Sequence, residues 1–191
     1  QMIKKFKTLF YVKSSLITLY LALTLPIPFI STGELKIIFL LAFLLGLFLI
    51  FNITHDYVET SKDKISYKTT FFSNLIGKKS WEIFWKDIKL INYSPTSQGS
   101  KVYYFITFGE QKFLVPQRVE NFQELLSLIV EKTGIETAGM SYISPLWTYK
   151  LLTLLSLLMI IGEIISFFIL NVIYAEPISL LSYCGNPSTF S

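Results

Sequence analysis

Three long apolar stretches limit most strongly how this chain can fold. They cover residues 14–30, 35–53 and 146–174, and charged side chains are rare within them. A helix needs about 20 apolar residues to cross the roughly 30 Å hydrocarbon core of a bilayer. Hydrophobic residues make up 52% of the chain, which is more than a typical soluble domain carries. The sequence therefore predicts an integral membrane protein with three transmembrane helices.

The first two apolar stretches are joined by a short polar turn, Ser31–Glu34. Pro26 and Pro28 interrupt the first stretch near its far end, where the helix is expected to break. A turn this short joins antiparallel helices, so both ends of the pair lie on the same side of the membrane. We therefore assign residues 1–54 to a basic N-terminus and a transmembrane hairpin.

Residues 55–134 have the composition of a soluble domain and alternate in short runs. Candidate strands lie at residues 57–61, 65–71, 81–90, 102–108 and 111–115. Trp81, Ile83 and Trp85 share one parity, whereas Ile88 and Leu90 have the other. This slip of one residue predicts either a bulge or two separate strands around Lys86 and Asp87.

One amphipathic helix is predicted to close this domain. Asn121 and Glu124 form a capping-box pattern at its start, and Gly134 is a stop signal at its end. Its apolar stripe consists of Phe122, Leu125, Leu126, Ile129 and Val130. We expect Phe122 to be buried with Trp85 and Ile88 between sheet and helix, which gives a small α+β domain.

The remaining residues divide into three segments. Residues 135–145 are predicted to be a linker, residues 146–175 the third transmembrane helix, and residues 176–191 a tail that contains Cys184. Trp147, Tyr149 and Lys150 are suitable anchors at the membrane–water interface where the third helix begins. The fold class is therefore a membrane α+β protein with a hairpin, a soluble domain and a third span.

The distribution of basic residues predicts the orientation in the membrane. Four lysines precede the first span, twelve basic residues lie between His55 and Lys150, and none follows Lys150. By the positive-inside rule, the N-terminus and the soluble domain lie in the cytoplasm, or in the stroma of a plastid. The tail with Cys184 would lie on the opposite side of a bacterial inner membrane or a thylakoid.

The sequence contains no evident set of catalytic residues. His55 is the single histidine, it lies where the second span leaves the membrane, and no Cys/His cluster has metal-ligand spacing. Residues 77–80 resemble the end of a phosphate-binding loop but lack its upstream glycine. Residues 55–145 carry eleven basic and ten acidic side chains, which disfavours nucleic-acid binding. We expect a protein that is not an enzyme and has no cofactor.

Glu163 is out of place near the middle of the third apolar stretch. A carboxylate in hydrocarbon costs several kcal/mol unless it is compensated. Ser156 and Asn171 lie on the same helical face, and the three residues are candidates for binding a partner inside the membrane. One interpretation is packing on the hairpin, with Thr18, Thr24 or Ser15 as polar partners. The other is docking to a second membrane subunit or to a cofactor.

Two groups of lysines are candidate contacts to anionic lipid headgroups. They consist of Lys4, Lys5 and Lys7 before the first span, and Lys78 and Lys79 in the soluble domain. The alternatives are a basic flank that sets topology for the first group and a solvated turn for the second.

The soluble block resembles the bacterial pleckstrin-homology-like domains of small membrane proteins. The resemblance rests on the order of four motifs, namely residues 57–60 leading to 65–67, residues 85–91, residues 113–116, and the final helix. It covers roughly Tyr57 to Gly134. It implies a curved, seven-stranded antiparallel sheet or barrel capped by the C-terminal helix.

The first 135 residues also resemble the photosystem I assembly factors of cyanobacteria and plastids. The matching parts are the hairpin ending near Ile53, the element at residues 86–88, and the edge at Val115 and Pro116 before the helix. The third span departs from that pattern. Together these features predict a non-enzymatic membrane adaptor, an assembly factor or accessory subunit that binds integral membrane proteins, with a photosynthetic complex as one candidate. The alternative is a membrane-anchored module that binds anionic lipid headgroups.

Overall fold

The computed structural model describes the backbone of residues 3–97 and 99–183, and their side chains as far as Asn171. Cys184 and the rest of the predicted tail beyond Tyr183 lie outside the described residues. The N-terminal half contains β1 (Lys4–Lys7), α1 (Phe10–Thr24), α2 (Pro26–Ile30), α3 (Glu34–Ile53), β2 (Tyr57–Thr60), β3 (Lys64–Lys68) and α4 (Phe71–Leu75). The C-terminal half contains β4 (Trp81–Phe84), β5 (Ile88–Pro95), β6 (Lys101–Thr107), β7 (Lys112–Leu114), α5 (Phe122–Thr133) and α6 (Leu146–Tyr183).

Three helical segments are long and apolar enough to cross a membrane, as predicted. They are Phe10–Ile30, Glu34–Ile53 and Leu146–Asn171. Helices α1 and α3 form the hairpin, and α6 packs along α1. The first span, Phe10–Ile30, and α6 run in the same direction, because one contact joins their beginnings and another joins their far parts. Lys150 Nζ lies 4.9 Å from the centroid of the Tyr11 ring, and the Phe29 and Phe167 ring centroids are 6.3 Å apart.

A close contact holds the hairpin together. Tyr20 Oη, on α1, donates a hydrogen bond of 2.9 Å to the carbonyl oxygen of Phe43 on α3. The phenol ring then lies against Gly46, where an added Cβ would overlap Tyr20 Oη. Position 46 must therefore be glycine for this packing.

The soluble domain consists of two antiparallel sheets. One has the order β1-β2-β3-β4 and the other β5-β6-β7, and the strands that the structure describes do not close into a barrel. A single 3₁₀ turn, Trp85–Asp87, separates β4 from β5 and moves the chain from one sheet to the other. Of the two interpretations of the parity slip, two separate strands is therefore correct.

Helix α5 covers the core between these sheets. Phe122, Leu125 and Ile129 are fully buried, and Trp85 and Ile88 are 5% and 6% exposed, which confirms the predicted core. Val130 was assigned to the same stripe wrongly, since it is 40% exposed at the rim of the helix.

The first strand was not predicted. Residues 4–7 were interpreted as a basic flank, yet they pair in antiparallel register with β2, from Lys4 opposite Thr60 to Lys7 opposite Tyr57. Phe6 is buried in the core of the soluble domain, while the lysines on either side of it are exposed. The soluble domain therefore takes its edge strand from the segment before the hairpin.

The capping box at α5 does not form. Asn121 adopts a left-handed backbone conformation with φ 52°, and its side chain caps no backbone N–H. A capping side chain normally extends from an extended backbone, so the left-handed conformation moves it out of reach. The Glu124 carboxylate instead accepts a 2.9 Å hydrogen bond from Lys4 Nζ of β1. The predicted stop at Gly134 is confirmed by its left-handed φ of 70°.

Two predicted boundaries also differ from the structure. The strand expected over residues 65–71 ends at Lys68, and Thr70 caps the short helix α4 by accepting a hydrogen bond from the Ser73 amide. Helix α6 continues past the end predicted at Glu176 and Pro177, as far as Tyr183. A proline inside a helix removes one backbone hydrogen bond and strains the preceding turn, and here the helix continues through it.

Candidate functional site

An apolar groove lies between the end of the hairpin and helix α6. Its volume is about 710 Å³, and its walls are formed by Pro26, Phe29 and Ile30 on one side and Met159 and Phe167 on the other. It exists because Pro26 ends α1 and starts the separate short helix α2, so α6 loses continuous contact with α1 at this level. Glu163 lies in this groove among the apolar side chains.

One carboxyl oxygen of Glu163 has no partner in the part of the chain that the structure describes. Its Oε2 atom is buried and forms no hydrogen bond with any residue that the structure describes. A buried polar atom without a partner loses its solvation and gains nothing in return, which makes the free groove an unfavourable environment. The groove therefore presents one strong acceptor on an otherwise apolar wall.

The hydroxyl groups proposed as internal partners bond elsewhere. Thr18 Oγ1 donates to the Ser14 carbonyl at 2.9 Å, and Thr24 Oγ1 donates to the Tyr20 carbonyl at 2.6 Å. Ser15 Oγ donates to the Val12 carbonyl at 3.0 Å. Each bond lies within α1, so none of the three hydroxyls compensates Glu163.

Ser156 and Asn171 do not share the groove with Glu163. Ser156 is buried where α6 packs on α1, and its hydroxyl donates to the Leu152 carbonyl at 2.8 Å. Asn171 is exposed, and its Nδ2 donates to the Phe167 carbonyl at 2.8 Å. The three polar residues follow one helical face that is covered at Ser156, partly covered at Glu163 and open at Asn171.

Most of the lysines proposed to bind lipid are engaged in ion pairs. The Nζ atoms of Lys4, Lys5 and Lys78 lie 2.9, 3.6 and 2.7 Å from carboxylate oxygens of Glu124, Glu59 and Asp56. Lys7 and Lys79 are exposed and form no ion pair with the described residues. The five lysines therefore do not form one basic surface.

Sequence reasoning missed a polar network at the end of the second span. The Asp56 side chain is 3% exposed and accepts hydrogen bonds on both oxygens. Ser73 Oγ donates to Oδ1 at 2.7 Å, and Tyr67 Oη and Lys78 Nζ donate to Oδ2 at 3.0 and 2.7 Å. The Asp56 carbonyl accepts a 2.7 Å bond from Thr8 Oγ1, just before α1. This network joins both ends of the hairpin to the soluble domain.

The environment of Tyr67 reflects the same network. Burial and the neighbouring Asp56 carboxylate raise the pKa of the Tyr67 phenol above its ordinary value of 10.0. The phenol therefore remains a hydrogen-bond donor to Asp56 at every physiological pH. Among the described residues, no group of three or more His, Cys, Asp or Glu side chains is placed to hold a metal ion.

Comparison with known proteins found one distant relative whose similarity extends over most of the chain. The chain is 29% identical to an uncharacterized protein (slr0269) of the cyanobacterium Synechocystis, over an alignment that covers 78% of this chain and 77% of the relative. No protein-family model matches the chain. No solved structure matches it. The similarity extends over most of both chains and brings no activity with it, since the relative is itself uncharacterized.

Proposed function

We propose that this protein is a non-enzymatic membrane adaptor, an assembly factor or accessory subunit that binds a helix of another integral membrane protein in the groove at Glu163. The observation that carries the proposal is the buried, unpartnered Glu163 Oε2 on the wall of that groove. A partner helix with a hydroxyl, amide or cationic side chain would supply the missing donor.

The shape of the groove supports a helical partner. A Cβ built at Gly162 meets no atom within 4 Å, so the backbone of α6 is open to close approach beside Glu163. Small residues at such positions allow two helices to come near enough for direct side-chain hydrogen bonds. The exposed rings of Phe29 and Phe167 would add apolar contact on either side.

The two sheets capped by α5 support a pleckstrin-homology-like arrangement for the soluble domain. The basic residues before the hairpin and in that domain support its placement on the cytoplasmic or stromal side. The cyanobacterial origin of the relative supports a photosynthetic membrane complex as the partner. Binding of anionic headgroups by the lysines is the weaker alternative, because Lys4, Lys5 and Lys78 already pair with carboxylates.

A photocrosslinking experiment in the natural host membrane tests the proposal. A photoreactive amino acid at Phe168, which lines the groove, should yield one defined adduct with a membrane protein. The same amino acid at Leu41 is the control. Leu41 lies on α3, where no residue is buried, and it does not line the groove. Glu163→Leu, which removes the hydrogen-bond acceptor, should remove the Phe168 adduct and the co-purification of that protein.

The stability of the isolated protein separates a lost partner from a damaged fold. The buried Glu163 Oε2 atom has no partner among the described residues, so Glu163→Leu should not lower the detergent melting temperature. Thr153→Val is the matched control on α6, since its hydroxyl bonds only the Tyr149 carbonyl, and it should keep the adduct. Persistence of the adduct in the Glu163→Leu variant would refute the proposed docking site.

A further inference from the structure

Helix α4 presents an apolar face with no partner in the described structure. Phe71, Leu75 and Ile76 are 77%, 78% and 61% exposed. Phe71 and Leu75 lie at positions i and i+4, which share one side of the helix, and Ile76 is the residue that ends it. Three large apolar side chains exposed together at one point usually mark a contact surface.

Contacts to the end of the second span fix the position of α4. Thr70 Oγ1 donates to the Asn52 carbonyl at 3.0 Å, and Ser73 Oγ lies 3.3 Å from the Ile53 carbonyl oxygen. The Phe72 ring packs edge-to-face on Phe48 of α3, with ring centroids 5.6 Å apart. Because α3 is a membrane span, α4 lies at the level where that span leaves the hydrocarbon.

We propose that α4 is an interfacial anchor, with Phe71, Leu75 and Ile76 inserted at the boundary between headgroups and acyl chains of the leaflet from which α3 emerges. The bilayer is the occupant that this geometry favours, because the exposed face is continuous with a lipid-facing helix on which no residue is buried. Lys79 is exposed three residues after Ile76 and can lie among the headgroups.

The Asp56 network gives the anchor a fixed direction. Ser73, within α4, and Lys78, just after it, both donate to the Asp56 carboxylate. Gly77, with φ +92°, turns the chain away from the helix toward β4. The soluble domain is thereby held against the membrane at three points, namely the starts of α1 and α4 and the end of α3, so that it cannot rotate freely about a single linker.

Site-directed fluorescence on the full chain tests the anchor. Cys184, the single cysteine, is replaced by serine, and Leu75→Cys carries an environment-sensitive dye in phosphatidylcholine vesicles. We expect blue-shifted emission and several-fold quenching by lipids that carry a nitroxide high on the acyl chain. Phe71→Cys, on the same exposed face, should give the same result.

Phe108→Cys is the matched control, since Phe108 is also apolar and 69% exposed. Phe108 lies at the end of the soluble domain away from the spans. Its amide donates to the carbonyl of Asp87, which belongs to the same 3₁₀ turn as Trp85. The Trp85 amide in turn donates to the carbonyl of Asp63, in the turn between β2 and β3. A dye at Phe108 should emit as in water and resist quenching by lipid.

Two results would overturn the anchor. One is a Leu75 dye that is as water-exposed as the Phe108 dye. The other is a Leu75 dye that is shielded from water but not quenched by spin-labelled lipid, which would show that a protein, such as a second copy of the chain, covers α4. An unchanged melting temperature for each labelled variant confirms that the fold is intact.

Discussion

Replacing Asp56 by asparagine should destabilise the junction between the hairpin and the soluble domain. The carboxylate is almost fully buried, and Tyr67 Oη and Lys78 Nζ both donate to its Oδ2 atom. An amide can still accept from Ser73 through Oδ1, but its NH₂ group would face the two donors at Oδ2. The substitution therefore removes two charge-assisted hydrogen bonds while the side-chain volume hardly changes.

The magnitude follows from the exposure of the two donors. The buried Tyr67 hydroxyl loses a bond to a charged group, which costs about 1.5–3 kcal/mol. The Lys78 side chain is 42% exposed and can return to water, so its share is at most about 1 kcal/mol. We expect Asp56→Asn to lower the free energy of unfolding by about 2–4 kcal/mol.

The assay is denaturant unfolding of the full chain in detergent, followed by tryptophan fluorescence. A Trp147→Phe background leaves Trp81 and Trp85 as reporters, and both belong to or pack on the soluble core. The full chain is required because β1 precedes the hairpin and would be missing from a fragment that begins at residue 55.

A double-mutant cycle with Lys78→Met isolates the ion pair. Removing Lys78 alone leaves a buried carboxylate without its cation, whereas removing both leaves no buried charge. Because Lys78 is partly exposed, a coupling energy of about 0.5–1 kcal/mol is expected. Lys79→Met is the control and should change stability by less than about 0.5 kcal/mol. Additive effects in the cycle, or an Asp56→Asn loss below about 1 kcal/mol, would refute the role assigned to Asp56.

Three further predictions concern the core, the hairpin and the phenol. Phe122→Ala should cost about 3–5 kcal/mol in the same unfolding assay, since its ring is fully buried under α5, and a loss below about 1 kcal/mol would contradict that packing. Gly46→Ala should lower the detergent melting temperature because its Cβ overlaps Tyr20, and Tyr20→Ala should restore part of the loss; no change on Gly46→Ala would show that the hairpin does not pack this way. The raised Tyr67 pKa contributes stability that is fully present below pH 10 and is lost as the pH rises through the folded-state value. Difference absorbance at 295 nm between the chain and Tyr67→Phe should therefore show a phenol that ionises only above pH 10.0, and ionisation at its ordinary pKa would contradict the contact with Asp56.

The sequence predicts those parts of the molecule that depend on periodicity. The three spans and the stripe of α5 are long enough for their apolar patterns to stand out, and each is present. Strand β1 could not be found in this way, because Phe6 is its single buried residue and lysines surround it. A single apolar residue shows no periodicity. Lysines just before a membrane span normally indicate a basic flank that sets the topology.

The two candidate sites also differ in how far the sequence alone reveals them. Glu163 is visible in the sequence because a carboxylate stands alone in an apolar run, but its groove depends on where α2 departs from the path of α1. Asp56 gives no sequence signal, since its partners Tyr67, Ser73 and Lys78 follow at irregular spacing. Only the meeting of β3, α4 and the end of α3 brings them together.

The pairing of β1 with β2 also bears on how the protein is made. The entire hairpin is inserted between two neighbouring strands of one sheet, so the sheet cannot be completed until both spans have crossed the membrane and returned. A hairpin with one span left out of the bilayer would separate Lys4–Lys7 from its partner strand by the width of the bilayer. The β1–β2 pairing can therefore form only in a chain whose hairpin has both spans, or neither, in the membrane.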